Sequence, residues 1–222
     1  MGYNIAIDGP SGAGKSTLSR AIAKEIGFIY VDTGALYRAV GFFAYQSKIN
    51  ADNKDAIAGM LSNIEIDLKF LHDEQRVFLN GKDVSDNIRM HIVSDFASKV
   101  GAVTQVRDFL LDMQRRLAEK YDVVMDGRDI GTVVLPHAQL KIYLTASAHD
   151  RAQRRYKELL EKGQSVSFDK ILADVIERDK RDMSREIAPL KIADDAVVVD
   201  TTGKTFEQSL DLLTRLIKEH LK

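Results

Sequence analysis

The run Gly9-Pro10-Ser11-Gly12-Ala13-Gly14-Lys15-Ser16-Thr17 constrains this chain more than any other stretch. It satisfies G-x-x-x-x-G-K-[ST] and follows the short apolar segment Tyr3-Asn4-Ile5-Ala6-Ile7. A buried strand therefore feeds a glycine-rich turn, and the turn feeds a helix opening near Lys15. The glycines let the backbone wrap until successive N–H groups point at one centre. That centre, at the positive end of a helix, binds phosphate. Lys15 adds a mobile charge for the β- and γ-phosphates, and Ser16 a hydroxyl for Mg²⁺. An accidental glycine-rich turn would not match in residue type, spacing and context together, so the chain is expected to bind a nucleoside triphosphate.

At 222 residues the chain has room for one α/β domain with a real core, and a hydrophobic share of 45% is ordinary for such a domain. No cysteine is present, which excludes a disulfide framework or thiolate metal site and fits a reducing, cytoplasmic setting. No basic segment followed by an apolar one opens the chain, so no secretory leader is expected. No window reaches the roughly 18 uninterrupted apolar residues of a membrane span. The net charge of −1 predicts neither a nucleic-acid surface nor a membrane surface. A monomer is expected. His72, His91, His137, His149 and His220 are scattered without metal-ligand spacing and read as surface or core residues.

Short apolar runs alternate with helical patterns, which predicts a five-stranded parallel sheet flanked by helices. The expected strands are Tyr3–Asp8, Phe28–Val31, Val123–Met125, Lys141–Leu144 and Ala196–Val199. The expected helices are Lys15–Ile26, Gly34–Gln46, Val103–Lys120, Ala148–Lys162, Phe168–Met183 and Phe206–Leu221. One region breaks the alternation. Ile64-Glu65-Ile66-Asp67-Leu68-Lys69-Phe70 alternates apolar and charged residues, and Asn80-Gly81 is a strong hairpin signal. Residues 62–92 therefore read as a small antiparallel sheet inserted in the domain, the alternative being an edge extension of the main sheet.

Among phosphate-loop proteins, a GTPase switch needs N-K-x-D, and Asn53-Lys54-Asp55 places the acid one position early. Asp200-Thr201-Thr202-Gly203 imitates a switch element but lies at the end of the last strand, and Gly203-Lys204-Thr205 lacks the first glycine of a second loop, position 198 being Val198. A small kinase remains. Thr33, after the second strand, suits a helix cap, with Arg38 one turn in. Asp126 ends a buried strand, where an acid helps hold Mg²⁺. Gly127 then turns the chain so that Arg128 and Asp129 emerge at the ligand-binding edge of the sheet. Arg178, Arg181, Asp182 and Arg185 share one helix face. Alone they would be a solvated face, with Arg178 and Asp182 as a surface pair. Beside a phosphate loop they suit the charge spread over a transferring phosphoryl group.

The chain resembles the bacterial cytidylate kinases, of the nucleoside monophosphate kinase family, over essentially its whole length. The resemblance rests on Asp8 to Ser16, Asp32-Thr33-Gly34-Ala35-Leu36-Tyr37-Arg38, Asp126-Gly127-Arg128-Asp129-Ile130-Gly131-Thr132-Val133-Val134 and Arg178-Asp179-Lys180-Arg181-Asp182. It implies transfer of the γ-phosphoryl group of ATP to CMP or dCMP with Mg²⁺. It also implies a single domain over 1–222, with a phosphate loop at 9–17, a monophosphate-binding region with the insert at about 34–100, and a helical lid at about 148–186. By resemblance, Thr33, Tyr37 and Arg38 hold the acceptor phosphate region, and Ser98, Arg107 and Asp129 read cytosine. Arg128 binds phosphate, while Arg181, Asp182 and Arg185 close on ribose and phosphates; Lys15, Arg128, Arg181 and Arg185 form the catalytic set. The base chemistry agrees: an Asp suits the cytosine amine, and Arg and Ser suit the ring acceptors. No general base is apparent and none is needed, because the acceptor phosphate is already largely dianionic at neutral pH. Two rivals stay open: a kinase for UMP or a non-nucleotide metabolite, and a nucleotide-regulated switch protein.

Overall fold

The computed structural model describes residues 2–71, 74–161 and 163–221; His72, and Lys162 at the end of one expected helix, lie outside them. In chain order the elements are β1 (Asn4–Asp8), α1 (Lys15–Ile26), β2 (Ile29–Asp32), α2 (Thr33–Gln46), α3 (Lys54–Met60), β3 (Ile66–Leu71), β4 (Glu74–Leu79) and β5 (Lys82–Asp83). There follow α4 (His91–Val100), α5 (Thr104–Lys120), β6 (Val123–Gly127), β7 (Leu140–Thr145), α6 (Ala148–Glu161), α7 (Phe168–Ser184), β8 (Val197–Asp200) and α8 (Phe206–His220).

The main sheet has strand order β2-β6-β1-β7-β8, and each of its pairings is parallel. Its strands are apolar on both faces, as a sheet covered by helices requires. On one face Ile5 and Ile7 pack with Leu18 and Ile22 of α1 and Leu213 and Ile217 of α8. On the other, Ala6, Val31 and Met125 meet Ala118 of α5 and Val134. The chain leaves β1 toward β2 but leaves β6 toward β7, so the connections part between β1 and β6. A crevice opens there at the carboxyl ends of the strands. Register places Asp8 opposite Gly127, and Asp32 opposite Asp126, at that edge.

The insert is a separate three-stranded antiparallel sheet, β3-β4-β5, and not an extension of the main one. Asn80 and Gly81 both have positive φ, 49° and 77°, as a two-residue hairpin of this hand demands. The sheet ends at Asp83, short of position 92: the chain passes through a short helical turn at Asn87–Arg89 before α4 begins at His91. Ile66, Val77 and Leu79 bury one face against Leu36 and Val40 of α2, Ile57 of α3 and Val93 of α4. Helices α3 and α4 are not marked in the sequence reading, and α4 starts without a side-chain cap. At α2 the cap is Asp32, whose carboxylate accepts the Ala35 N–H at 3.0 Å; Thr33 is the first helical residue instead. Helices α6 and α7 share a small core of their own, Ala152, Leu159 and Ile171 with Tyr156 and Phe168 around them. No helix of the described residues is long and apolar enough to cross a membrane.

Candidate active site

The phosphate loop follows β1 directly. Gly9 (φ 149°), Gly12 (φ 76°) and Gly14 (φ 89°) take conformations that side chains resist, and a Cβ on Gly9 would lie 1.9 Å from the Leu144 carbonyl oxygen. The amides of Gly12 to Thr17 thus wrap the N-terminus of α1, whose first turn carries no acid. Lys15 is buried and donates to the Pro10 carbonyl at 2.7 Å. Burial, then the guanidinium of Arg128, pushes its ammonium well below the ordinary lysine value. An anion bound in the loop would restore the charged form.

Asp126 lies beside it, wholly buried. Its two oxygens accept separate hydroxyls, Oδ2 from Ser16 at 2.9 Å and Oδ1 from Tyr30 at 2.8 Å. Burial and the neighbouring Asp32 push the carboxyl up to about 6 despite those bonds. An acid raised in this way is one that a cation would return to the ionised state. The Ser16–Asp126 pair is an all-oxygen donor set of the kind Mg²⁺ accepts, since that ion takes one or two protein ligands and completes its shell with phosphate and water. Thr33 donates its hydroxyl to the Asp126 carbonyl at 2.8 Å, tying α2 to the same strand end.

Beyond the crevice stands a cluster of buried charges. Arg107 of α5 pairs with Asp129, side chains 8% and 5% exposed, and also donates to the Gly101 carbonyl at 3.1 Å. The guanidinium of Arg185 stands 3.6 Å from the other Asp129 oxygen. The Tyr37 ring lies 5.5 Å from Arg107, and burial pushes its phenol up to about 12. Arg128 donates to Asp182 at 2.8 Å. Burial raises the Asp182 carboxyl, but Arg128 and Arg178 outweigh it and hold the group below the usual value. Arg38 pairs with Asp32 at 2.7 Å. Among the described residues eight buried side-chain polar atoms lack a hydrogen-bond partner, and four of these belong to Arg38, Ser98, Arg178 and Arg185. Such groups are costly unless they serve a ligand. Together the residues make a polar, strongly cationic recess suited to an anionic, hydrogen-bonding molecule.

Contacts join Ser16 to Asp126, Thr33 to the Asp126 carbonyl, Arg107 and Arg185 to Asp129, and Arg128 to Asp182. The buried Ser98 hydroxyl bonds to none of them, and Arg185 stands just past the end of α7 in extended backbone, not on its face. Arg181 turns to α4, pairing with Asp95 at 3.0 Å and Glu177 at 3.3 Å. Arg178 does not pair on the surface with Asp182: it is largely buried, and burial, then Arg128, pushes it down to about 10. Sequence reasoning missed four residues. Tyr30 reads only as part of an apolar strand, and Asp8 only as a strand end and the first residue of the phosphate-loop motif, with no role of its own. Arg151 of α6 donates to the Ser11 carbonyl at 3.0 Å and pairs with Asp179, and Arg154 reaches the Ala13 carbonyl at 3.4 Å. Their three-residue spacing on one helix face was the available signal.

A parallel sheet with a phosphate loop at the end of its central strand, a strand-end acid and a cationic recess defines a small phosphate-loop phosphotransferase. The sequence model of the family described as cytidylate kinase matches residues 5–219. A cytidylate kinase of Caldicellulosiruptor saccharolyticus is 48% identical over 213 residues, covering 96% of this chain and 94% of the relative. One of Flavobacterium johnsoniae is 48% identical over 223 residues, covering 98% and 97%. A solved structure of an uncharacterized protein from Eubacterium ventriosum is similar in fold alone, with TM-score 0.55 and 12% identity across 97% and 98% of the two chains. The chain belongs to the cytidylate kinase family.

Proposed function

We propose that this protein transfers the γ-phosphoryl group of ATP to CMP or dCMP, giving ADP and CDP or dCDP. Family membership supports the reaction. The observation that supports the reading at the site is the placing of the phosphate loop and the turn bearing Asp129 at the ends of the adjacent strands β1 and β6, with Asp129 buried between Arg107 and Arg185. The loop amides and Lys15 hold the donor phosphates, and Arg38, Arg128 and Arg178 neutralise the acceptor phosphate. Asp129 accepts the cytosine amine, while Arg107 and Ser98 donate to the ring acceptors. Asp182 and Arg185 reach the nucleotide from α7 and the chain just beyond it, and Arg181 fastens that helix to α4 through Asp95. Ser16 and Asp126 would hold a bound Mg²⁺, the latter oriented by Tyr30, and the ion would offset the charge of the donor phosphates. The protein's own part is alignment and charge neutralisation, because the acceptor oxygen needs no base.

The helices α6 and α7, at about 148–186, act as a lid over a core, and 34–100 forms the monophosphate-binding region. The separate core of α6 and α7 supports their moving as one body. Release of ADP measured over CMP, dCMP, UMP, AMP and GMP tests the assignment. Turnover confined to the cytidine nucleotides is the expected result, and faster turnover with another acceptor would overturn it.

A further inference from the structure

The single π-helical turn Ile130–Val134 follows Asp129, which occupies its N-cap position. The first amides of any helical turn lack partners within it, and an aspartate at the N-cap ordinarily supplies them from its own side chain. Here Asp129 makes no such bond. Its carbonyl takes the amides of Val133 and Val134 at 2.9 and 3.1 Å, but its carboxylate is turned to Arg107 and Arg185. The orphan amides are satisfied from another strand instead. Asp8, the last residue of β1, accepts the Ile130 N–H at 2.8 Å through Oδ1 and the Gly131 N–H at 2.7 Å through Oδ2. Asp8 is buried, and none of its hydrogen bonds goes to a side chain of the recess.

The geometry points to Asp8 as a positioning residue that caps this turn in trans and so frees the Asp129 carboxylate to face the acceptor base. Both bonds run from the residue immediately before Gly9, so the same carboxylate also sets the distance between the phosphate loop and the turn bearing Arg128 and Asp129. Without Asp8, the carboxylate placed by sequence to serve the orphan amides is that of Asp129 itself, at the N-cap of their turn. Capping its own turn would withdraw it from Arg107. The loss would fall on acceptor recognition more than on donor binding.

This inference rests on the reading of Asp129 as the base-reading acid, and the test separates the two. Asp8→Asn keeps the shape but replaces one acceptor with an N–H₂ group that cannot take a backbone N–H. The expected result is a fall in kcat/KM for CMP of about tenfold, with a smaller change in the KM for ATP and a reduced preference for CMP over UMP. In parallel, hydrogen exchange at the Ile130 and Gly131 amides should speed up more than elsewhere in the sheet. If Asp129→Asn shifts the CMP/UMP preference and a folded Asp8→Asn protein does not, the trans cap is overturned. If Asp129→Asn leaves the preference alone, the base-reading role fails, and exchange at the two amides then decides Asp8: unchanged exchange overturns it, faster exchange upholds the cap. Should Asp8→Asn not fold, Gly131→Ala replaces it. Its Cβ would crowd the Lys141 side chain at 3.1 Å and come into contact with Asp8 Oδ2 at 3.4 Å, so that the Gly131 amide must shift against Asp8, and no phosphate-loop atom is among its three nearest neighbours. The same shift in preference, smaller in size, is expected from it, and an unchanged preference overturns the inference.

Discussion

Replacing Asp129 by asparagine is the most direct trial of base recognition. The carboxylate is 5% exposed and shared by two guanidiniums: Oδ2 is held by Arg107, and Oδ1 is 3.6 Å from Arg185. An asparagine that keeps its oxygen on Arg107 presents its N–H₂ where Oδ1 stood. That group opposes the cytosine amine, donor against donor, but suits the carbonyl of uracil. Losing one hydrogen bond to a charged group costs about 1.5–3 kcal/mol. The kcat/KM for CMP should therefore fall roughly ten- to hundredfold, while that for UMP holds or rises. Neutralising the partner of two buried guanidiniums also lowers stability. The loss stays below the about 3–5 kcal/mol of a fully broken buried pair, because one acceptor remains on Arg107. The assay is coupled ADP release with both nucleotides, beside thermal unfolding to show that the variant is folded. An unchanged CMP/UMP ratio in a folded protein would refute the reasoning.

Lys15→Met should cut kcat by orders of magnitude while the melting temperature holds or rises, because the fold buries this ammonium beside Arg128; near-normal turnover would remove the phosphate-loop assignment. Adding CMP with a non-hydrolysable ATP analogue should slow hydrogen exchange across 148–186, and equal exchange with and without ligands would leave these helices as a fixed part of the domain. Stability should depend on pH through Asp8, whose carboxyl burial pushes up from 3.8 to about 6. Between those values the unfolded chain carries the group charged and the folded chain carries it protonated. Stability contributed by the extra proton is thus present below about pH 4 and lost as pH rises toward 6. Urea unfolding of wild type against Asp8→Asn over that range should show the wild type losing ground with rising pH; a constant difference would contradict the sign.

Much of this protein is local and was legible in the chain. A glycine-rich loop with lysine and serine at set spacing can work only between a strand and a helix, so Gly9 to Thr17 carried its own context. Continuous apolar runs announced strands buried on both faces, and Asn80-Gly81 announced a hairpin through the positive φ that both residues accept. The boundaries were read less well where competing side chains were one residue apart. Asp32 and Thr33 can both cap a helix, and the carboxylate won because it also pairs with Arg38. Short α3 and α4 owe their helicity to burial against α2 and the insert, which no local pattern displays.

What tertiary structure alone decided is which charge faces which. The sequence placed Arg178, Arg181, Asp182 and Arg185 on one face of a helix, but only packing sent Arg181 outward to Asp95 and Arg178 inward toward Arg128. It named Asp126 and Asp129 as acids at a strand end, yet not that Tyr30 holds the first, nor that Asp8 caps the turn behind the second. Periodicity along a chain reports where a side chain leaves its own element. A partner 86, 96 or 122 residues away is set by strand register and helix packing, and for the two buried contacts, Tyr30 with Asp126 and Ile130 with Asp8, the low dielectric of the interior then makes that choice strong enough to matter.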